Sequence, residues 1–302
     1  MKISKLILGT AQLGMDYGIN NEIGRPKFEE SKTIINTALE NGINTFDTAP
    51  EYGTSEKILG DVIVTDKNKE VIFISKVPPV NWNQTKDKED VLRKIKEDLQ
   101  KTLFNLNIDK IPIYLFHRFR DMTEKDGFLL DELVKLKRQG KIGKIGVSIY
   151  SPDEAEEALT LNKKGIEVIQ IPFNMVDKRL LENGFLEKAR SKDIIVIARS
   201  VFLQGLFFKQ KLPEHLQEFE KYQKALKEIS LNQDISVGEL ALRYVLSTEQ
   251  IDGVIIGVEK KEQLIQNLMF MKKGALEKEV IEKINLLGSA SEKIINPTLW
   301  KK

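Results

Sequence analysis

Eight short apolar, β-branched runs recur along this 302-residue chain, each ending in glycine, proline, serine or a polar cluster and each followed by an amphipathic stretch of helical length. The runs are Leu6–Leu8, Ile43–Asp47, Val71–Lys76, Ile111–His117, Ile145–Ser148, Ile166–Ile171, Ile194–Arg199 and Gly253–Gly257. Val71-Ile72-Phe73-Ile74 and Ile194-Ile195-Val196-Ile197 are apolar without interruption, as strands buried on both faces are, and that marks parallel strands covered by helices. Helices are predicted near Lys27–Asn41, Ser55–Asp61, Val91–Asn105, Asp126–Gln139, Asp153–Asn162, Lys178–Ser191 and Pro213–Ser230, with a further one before the eighth strand at Val237–Leu246. Ser151-Pro152-Asp153 carries an N-cap and a first-turn proline, and Ser236-Val237-Gly238-Glu239 reads as a capping box. Eight alternating units favour a closed (β/α)8 TIM barrel over an open doubly wound sheet. No G-x-G-x-x-G follows any strand, which weakens a dinucleotide fold of the open type. No constant-period repeat or Pro/Gly-rich linker divides the chain, so residues 1–302 are read as one domain.

With 41% hydrophobic and 30% charged residues, the chain has material for a large core and a solvated surface. Its 47 basic and 45 acidic residues are interleaved, and the net charge of +2 gives no electrostatic case for nucleic acid or an anionic membrane as partner. The absence of cysteine removes disulfides, thiolate nucleophiles and cysteine-ligated metal sites, so the chemistry falls to oxygen and nitrogen groups and no metal site is expected. The apolar run within Met1–Gly9 is too short for a signal peptide, no 18-residue apolar stretch occurs, and a cytoplasmic location is expected.

In a barrel, chemistry sits at the carboxyl ends of the strands. Among the runs, Asp47 after Ile43–Phe46, Lys76 after Val71–Ser75 and His117 after Ile111–Phe116 end on ionisable groups in a suggestive way. Tyr52 follows Asp47 in the next loop. Each alone has an ordinary reading as a cap, a surface residue or a packed ring, but a carboxylate, an ammonium, a phenol and an imidazole at one rim form a definable set. An ammonium beside Tyr52 favours the phenolate and lowers its proton affinity, and Asp47 holds a partly buried Lys76 in its charged form. His117 can donate to, or orient, a carbonyl oxygen beside the phenol. The set suits protonation of a carbonyl oxygen while another species attacks its carbon.

At these residues the chain resembles the aldo-keto reductase family, over essentially its whole length. Gly42-Ile43-Asn44-Thr45-Phe46-Asp47-Thr48-Ala49-Pro50-Glu51-Tyr52-Gly53 is similar to the family signature bearing its Asp and catalytic Tyr, Ile74-Ser75-Lys76 to the strand bearing its Lys, and Leu115-Phe116-His117 to the strand bearing its His. Gly140-Lys141-Ile142 with Gly146-Val147-Ser148 resembles the fifth-strand motif, whose Ser contacts the nicotinamide carboxamide. Val168 through Asn174 resembles the sixth-strand motif, with Gln170 and Asn174 in its polar positions. Gly257 through Asn267 resembles the segment holding the adenosine end of the cofactor. There Gln263 and Asn267, four apart, share a face of a helix beginning near Lys260, whose free N–H groups suit phosphate.

The resemblance implies a nicotinamide-dependent reductase of aldehydes, ketones or sugar-derived carbonyls, a small-molecule substrate being the partner expected. Asp47, Tyr52, Lys76 and His117 become the catalytic residues, with Tyr52, His117 and Trp82 facing the substrate. Cofactor contacts are expected at Gly9, Thr10, Asp47, Ser148, Gln170, Arg199, Ser200, Val201, Leu203, Gly205, Gly257, Glu259, Lys260, Lys261, Gln263 and Asn267. Two departures stand out: Ser148-Ile149 replaces the common Ser-Asn, and Arg199 stands where many members stack a tyrosine on the nicotinamide, a place a planar guanidinium can also fill. The N-terminal hairpin that closes the barrel bottom in many members is expected to be short or missing. NADPH is the coenzyme expected, with NADH as the other form, because Lys260 and Lys261 adjoin Glu259 where the 2′-phosphate binds. Two other readings stay open: a barrel lyase or aldolase with Lys76 as Schiff base, and a nicotinamide-binding sensor subunit without turnover.

Overall fold

The computed structural model describes residues 1–21, 23–63, 70–82 and 87–300. Eight strands, β1 (Leu6–Gly9), β2 (Thr45–Asp47), β3 (Ile72–Val77), β4 (Ile111–Phe116), β5 (Ile142–Ser148), β6 (Ile166–Pro172), β7 (Ile195–Arg199) and β8 (Gly253–Gly257), pair in sequence order and close on themselves. All pairs are parallel, and β1 completes the ring against β8 from Leu6 opposite Val254 to Gly9 opposite Gly257. This is the (β/α)8 barrel that the alternation predicts.

Side chains along a strand alternate between the two faces of the sheet, so each strand contributes to two separate cores. Ile7, Ile72, Ile74, Ile113, Leu115, Val168 and Ile197 form a small cluster of their own, filling the barrel, with Ile3, Ile195 and Ile255 against it. Their strand neighbours Leu6, Leu8, Phe46, Phe73, Tyr114, Phe116, Ile169 and Val196 belong instead to the large core between strands and helices. That outer core takes Ile34, Ile35 and Ala38 from the helix Phe28–Glu40, and Val91, Ile95 and Leu99 from the helix Lys88–Leu106. Each side chain buried in this way stabilises the fold by roughly 1.5–3 kcal/mol before the entropy of ordering is subtracted.

Helix starts follow their local signals with one difference. Ser151 accepts a hydrogen bond from the Glu154 N–H while the Glu154 side chain reaches back, a complete capping box ahead of Pro152–Thr160. At Ser236 only half of the predicted box forms, with Ser236 Oγ accepting from Glu239 N. The Glu239 carboxylate is drawn away to Arg243 and Lys273, at 2.8 and 2.7 Å. The predicted helix Lys178–Ser191 divides into Arg179–Glu182 and Phe185–Ser191, because Gly184 takes φ +72° and breaks the turn. The predicted helix Pro213–Ser230 is a 3-10 segment, Glu214–Phe219, running into an α-helix, Glu220–Asn232. No helix among the described residues is long and apolar enough to cross a membrane.

Candidate active site

The same alternation that fills the barrel with isoleucine delivers a different residue type at its carboxyl rim. Two positions beyond the interior residues Ile7, Ile74, Leu115, Val168, Ile197 and Ile255 stand Gly9, Lys76, His117, Gln170, Arg199 and Gly257, and the same faces of β2 and β5 end on Asp47 and Ser148. Eight strands therefore present one aspartate, one lysine, one histidine, one serine, one glutamine, one arginine and two glycines around a single opening. All but Lys76, which lies beneath, border a cavity of about 720 Å3. Its size is that of a small-molecule or cofactor site.

The buried Lys76 ammonium donates to both carboxylate oxygens of Asp47, at 2.8 and 2.9 Å, and to the Thr48 carbonyl at 2.9 Å. All three of its N–H groups are thus engaged. Gln170 Nε2 donates to the same carboxylate at 2.9 Å from the far side of the barrel. Below it, Thr10 Oγ1 donates to the Asp47 carbonyl at 2.8 Å and meets Ser55 Oγ, which also meets Thr48 Oγ1. The predicted cofactor residue Thr10 borders the cavity, but its hydroxyl is spent on this framework. Tyr52 is fixed by backbone packing: a Cβ on Gly14 would lie 1.8 Å from the Tyr52 carbonyl, and one on Gly53, at φ +59°, 2.4 Å from the Gly14 carbonyl. Only glycine lets those two segments touch. Tyr52 consequently sits with Lys76 Nζ 4.8 Å from its ring centroid and meets the His117 ring edge-on at 5.9 Å.

The electrostatics of this group depart from the expectation for Tyr52. Burial first, and then the Asp47 carboxylate, push the phenol above its ordinary range, against an opposing pull from Arg199. The predicted lowering by Lys76 is reversed, because that ammonium is already neutralised by Asp47 and faces the ring. Tyr52 is therefore a protonated phenol at neutral pH. His117 is pushed down to about 3 by burial and by the positive charges of Lys76, Arg199 and Arg118, so its imidazole is neutral. Its Nδ1 is buried and takes no hydrogen bond among the described residues.

Arg199 does not project freely. Nε donates to Ser148 Oγ at 3.3 Å, Nη1 to Ser200 Oγ at 3.1 Å and Nη2 to the Ile149 carbonyl at 2.9 Å, while the guanidinium stacks 4.2 Å over the Tyr150 ring. The aromatic partner of this arginine is thus a side chain of the protein. Asn174 serves the same wall, donating to the Ser200 carbonyl at 3.1 Å and accepting from Val176 N and Asp177 N.

At the opposite end the cavity reaches Gly257, Glu259, Gln263, Gln266 and Asn267, together with Ser236, Val237 and Gly238. Two helix N-termini, those of Val237–Leu246 and Lys261–Lys272, border this end. Gln263 accepts from Glu259 N at 2.8 Å and donates to the Glu259 carboxylate at 2.9 Å, so it caps its helix instead of facing outward. Asn267 is buried and borders the cavity, and its side-chain amide takes no hydrogen bond among the described residues. A Cβ on Gly257 would lie 2.4 Å from the Gln12 amide, so the missing side chain keeps the wall open there. Unspent backbone donors, an unpartnered buried amide and a glycine-lined wall, continuous with the Asp47 end, fit an extended dinucleotide.

Between the two ends the cavity is roofed by the loop after β1 and the loop after β7. Ile19 N donates to the Gln204 carbonyl at 3.0 Å, Gln204 Nε2 to the Tyr17 hydroxyl at 3.1 Å, and Lys209 Nζ to the Ile19 carbonyl at 2.9 Å. Ser200, Leu203 and Gln204 adopt φ of 63°, 47° and 53° to follow this path. Ser200, Val201 and Gly205, expected at the cofactor, border the cavity. Four predicted contacts do not. Leu203 is wholly buried in the outer core, and Lys260 and Lys261 point into solvent beyond the rim. Trp82 is turned away, donating from Nε1 to Asp121 at 2.8 Å and packing edge-on against Phe128. Residues 83–86, which follow Trp82, lie outside the described residues. Sequence reasoning missed Gln12, Tyr17, Asn20, Tyr150, Gln204 and Phe270. Tyr150 follows a strand end and was accessible to the rim argument, whereas Gln12 and Phe270 come from helices and Tyr17, Asn20 and Gln204 from the segments after β1 and β7.

The whole chain finds counterparts among known proteins. An uncharacterized oxidoreductase of Bacillus subtilis, YqkF, is 27% identical over 93% of this chain and 92% of its own length. The NADH-specific methylglyoxal reductase of Escherichia coli is 25% identical over 88% of this chain and 89% of its own. The holo form of the aldo-keto reductase AKR11C1 from Bacillus halodurans superposes with a TM-score of 0.78 at 24% identity, covering 99% of this chain and 96% of that one, a likeness of fold. The description of the aldo/keto reductase family matches residues 5–288, a span that takes in all eight strands and each rim group built up above, and to that family the chain belongs.

Proposed function

We propose that the protein reduces a carbonyl group to an alcohol at the expense of reduced nicotinamide coenzyme, with Tyr52 as proton donor. One observation carries this reading: a protonated phenol held against an ammonium on its face and a neutral imidazole at its edge, at the rim of a cavity that fits a dinucleotide. When bound, the coenzyme supplies hydride to the carbonyl carbon. The phenol gives its proton to the carbonyl oxygen, so one hydride and one proton convert the carbonyl to an alcohol. Arg199 favours the phenolate left behind, and Asp47 keeps Lys76 in place against the ring. His117, neutral, hydrogen bonds to the oxygen without competing for the proton. Asn267 and the backbone N–H groups at 236–238 hold the dinucleotide, with Ser148 and Gln170 at the nicotinamide end.

A Schiff-base role for Lys76 finds no support, because the amine has no free N–H and no opening onto the cavity. Geometry at the adenosine end weighs toward NADH, against the expected NADPH. Glu259 borders the cavity where Lys260 and Lys261 do not, and a carboxylate accepts from a ribose 2′-hydroxyl but repels a 2′-phosphate. The decisive experiment follows NADH and NADPH oxidation across an aldehyde, ketone and sugar panel, with Tyr52→Phe beside the native protein. Turnover lost with coenzyme binding kept is expected of the variant. Undiminished turnover excludes Tyr52 as donor, and coenzyme binding by the native protein without any turnover points to a sensor.

A further inference from the structure

Three fully charged side chains border the cavity among the described residues: Asp47, Glu259 and Arg199. Asp47 is matched by Lys76, and Glu259 is hydrogen bonded to Gln263 at a helix N-terminus, where negative charge is favoured. Arg199 alone has no opposite charge within ion-pair distance among the described residues. Its acceptors are two serine hydroxyls and one carbonyl, all uncharged, and they occupy three of its five N–H groups. Tyr150 holds the plane of the guanidinium from one face, so the two unspent N–H groups keep a fixed direction. Asp177 acts on it only beyond ion-pair distance and is itself paired with Arg179. A partly buried cation with no carboxylate paired to it is costly to a fold, and here it is braced as if for an arriving partner. A planar fork with two free donors fits a carboxylate or a phosphate.

We propose that Arg199 is an anion anchor in the substrate half of the cavity, and that the favoured substrates are carbonyl compounds bearing a carboxylate or phosphate a few atoms from the reacting carbon. This rests on the reading of the site as a carbonyl reductase. The position suits the role: Arg199 shares the rim with His117 and acts electrostatically on both Tyr52 and His117, so an anion held there lies beside the proton donor. The dinucleotide phosphates have other donors, the two helix N-termini at the far end.

Two matched pairs test the anchor and distinguish its two sources of negative charge: succinic semialdehyde against butanal, and glyceraldehyde 3-phosphate against glyceraldehyde. For at least one pair the native protein is expected to show kcat/KM about tenfold or more higher for the charged member. Arg199→Gln is expected to bring that ratio close to one, chiefly by raising KM for the charged substrate, and Arg199→Lys to restore part of it. Equal use of charged and neutral members by the native protein overturns the anchor without recourse to any variant. So does an unchanged ratio in Arg199→Gln, or a loss confined to coenzyme affinity measured by fluorescence titration, which would assign Arg199 to the dinucleotide. Turnover of the neutral aldehydes alone leaves carbonyl reduction standing while the anchor falls; failure of all four and of the wider panel removes both.

Discussion

Asp47→Asn separates charge from shape at the centre of the site. The substitution keeps the side-chain outline but leaves the Lys76 ammonium, 1% exposed, facing a neutral amide. At their 2.8 Å separation the two charges attract by about 6 kcal/mol at an effective dielectric of about 20, before desolvation is charged against them. Removing one partner of such a buried pair costs about 3–5 kcal/mol, because the other charge stays behind unpaired. With the amide oxygen in the place of Oδ2 it can accept from both Lys76 and Gln170, but the NH2 group then faces the ammonium where Oδ1 now accepts its second hydrogen bond. With an m-value of about 3 kcal/mol/M, the urea midpoint, followed by tryptophan fluorescence, is expected to fall by about 1 M or more. Lys76→Met should cost a similar amount, by stranding the carboxylate. Asp47→Asn with Lys76→Met removes both charges, and its cost is expected to fall short of the sum of the singles by about 2 kcal/mol or more. Additivity within about 0.5 kcal/mol, or a loss below about 1 kcal/mol in either single variant, refutes the claim that charge pairing in a dry setting holds this end of the barrel together.

Three further outcomes follow from the geometry. His117, held down to about 3, is expected to show no movement of its ring resonances between pH 7.5 and 5, and a midpoint near 6.5 contradicts its assignment as neutral. Because its folded value lies below the unfolded one, stability falls as pH drops from 6.5 toward 3; His117→Gln should flatten that part of the urea-midpoint profile. Gly14→Ala places a methyl against the Tyr52 carbonyl, and is expected to cost about 1–3 kcal/mol in urea unfolding and to cut turnover at least tenfold. Lys178, which donates to the Met175, Ile284 and Gly288 carbonyls, is lowered to about 8 by burial. Its unfolded form holds a proton that the folded form releases between pH 8 and 10.5, so native stability should rise relative to Lys178→Met across that window; a gap independent of pH refutes it.

The strand ends were legible because two demands coincide on them. A run such as Ile111–Phe116 must be apolar on both faces to sit between a filled barrel and a helix, and it can turn polar only where it leaves that sandwich. The period of two then decides which polar residue looks inward, taking Ile72, Ile74 and Lys76 in step and Ile113, Leu115 and His117 likewise. Asp47 was found for the same reason, whereas Ser148, Gln170 and Arg199, at the same rim, were named from the family resemblance. Loops carry no such period. Nothing near Trp82 signals that Asp121, 39 positions on, captures its indole N–H. Nor does the sequence near Tyr17 signal Gln204, 187 positions away. The proton affinity of Tyr52 was misjudged on the same ground: a pairwise argument from Lys76 leaves out burial and the carboxylate that already claims the lysine.

The hydrogen bond between Gln170 and Asp47 joins strands four apart in a ring of eight, and so spans a diameter. A tie across the bore makes the opening's width depend on the very carboxylate that fixes Lys76. Any change that alters the stagger between opposite staves will be felt at that oxygen, even from the remote end of the molecule. Loops around the mouth can vary widely while this crossbar stays, but its loss would slacken the frame and the chemistry together.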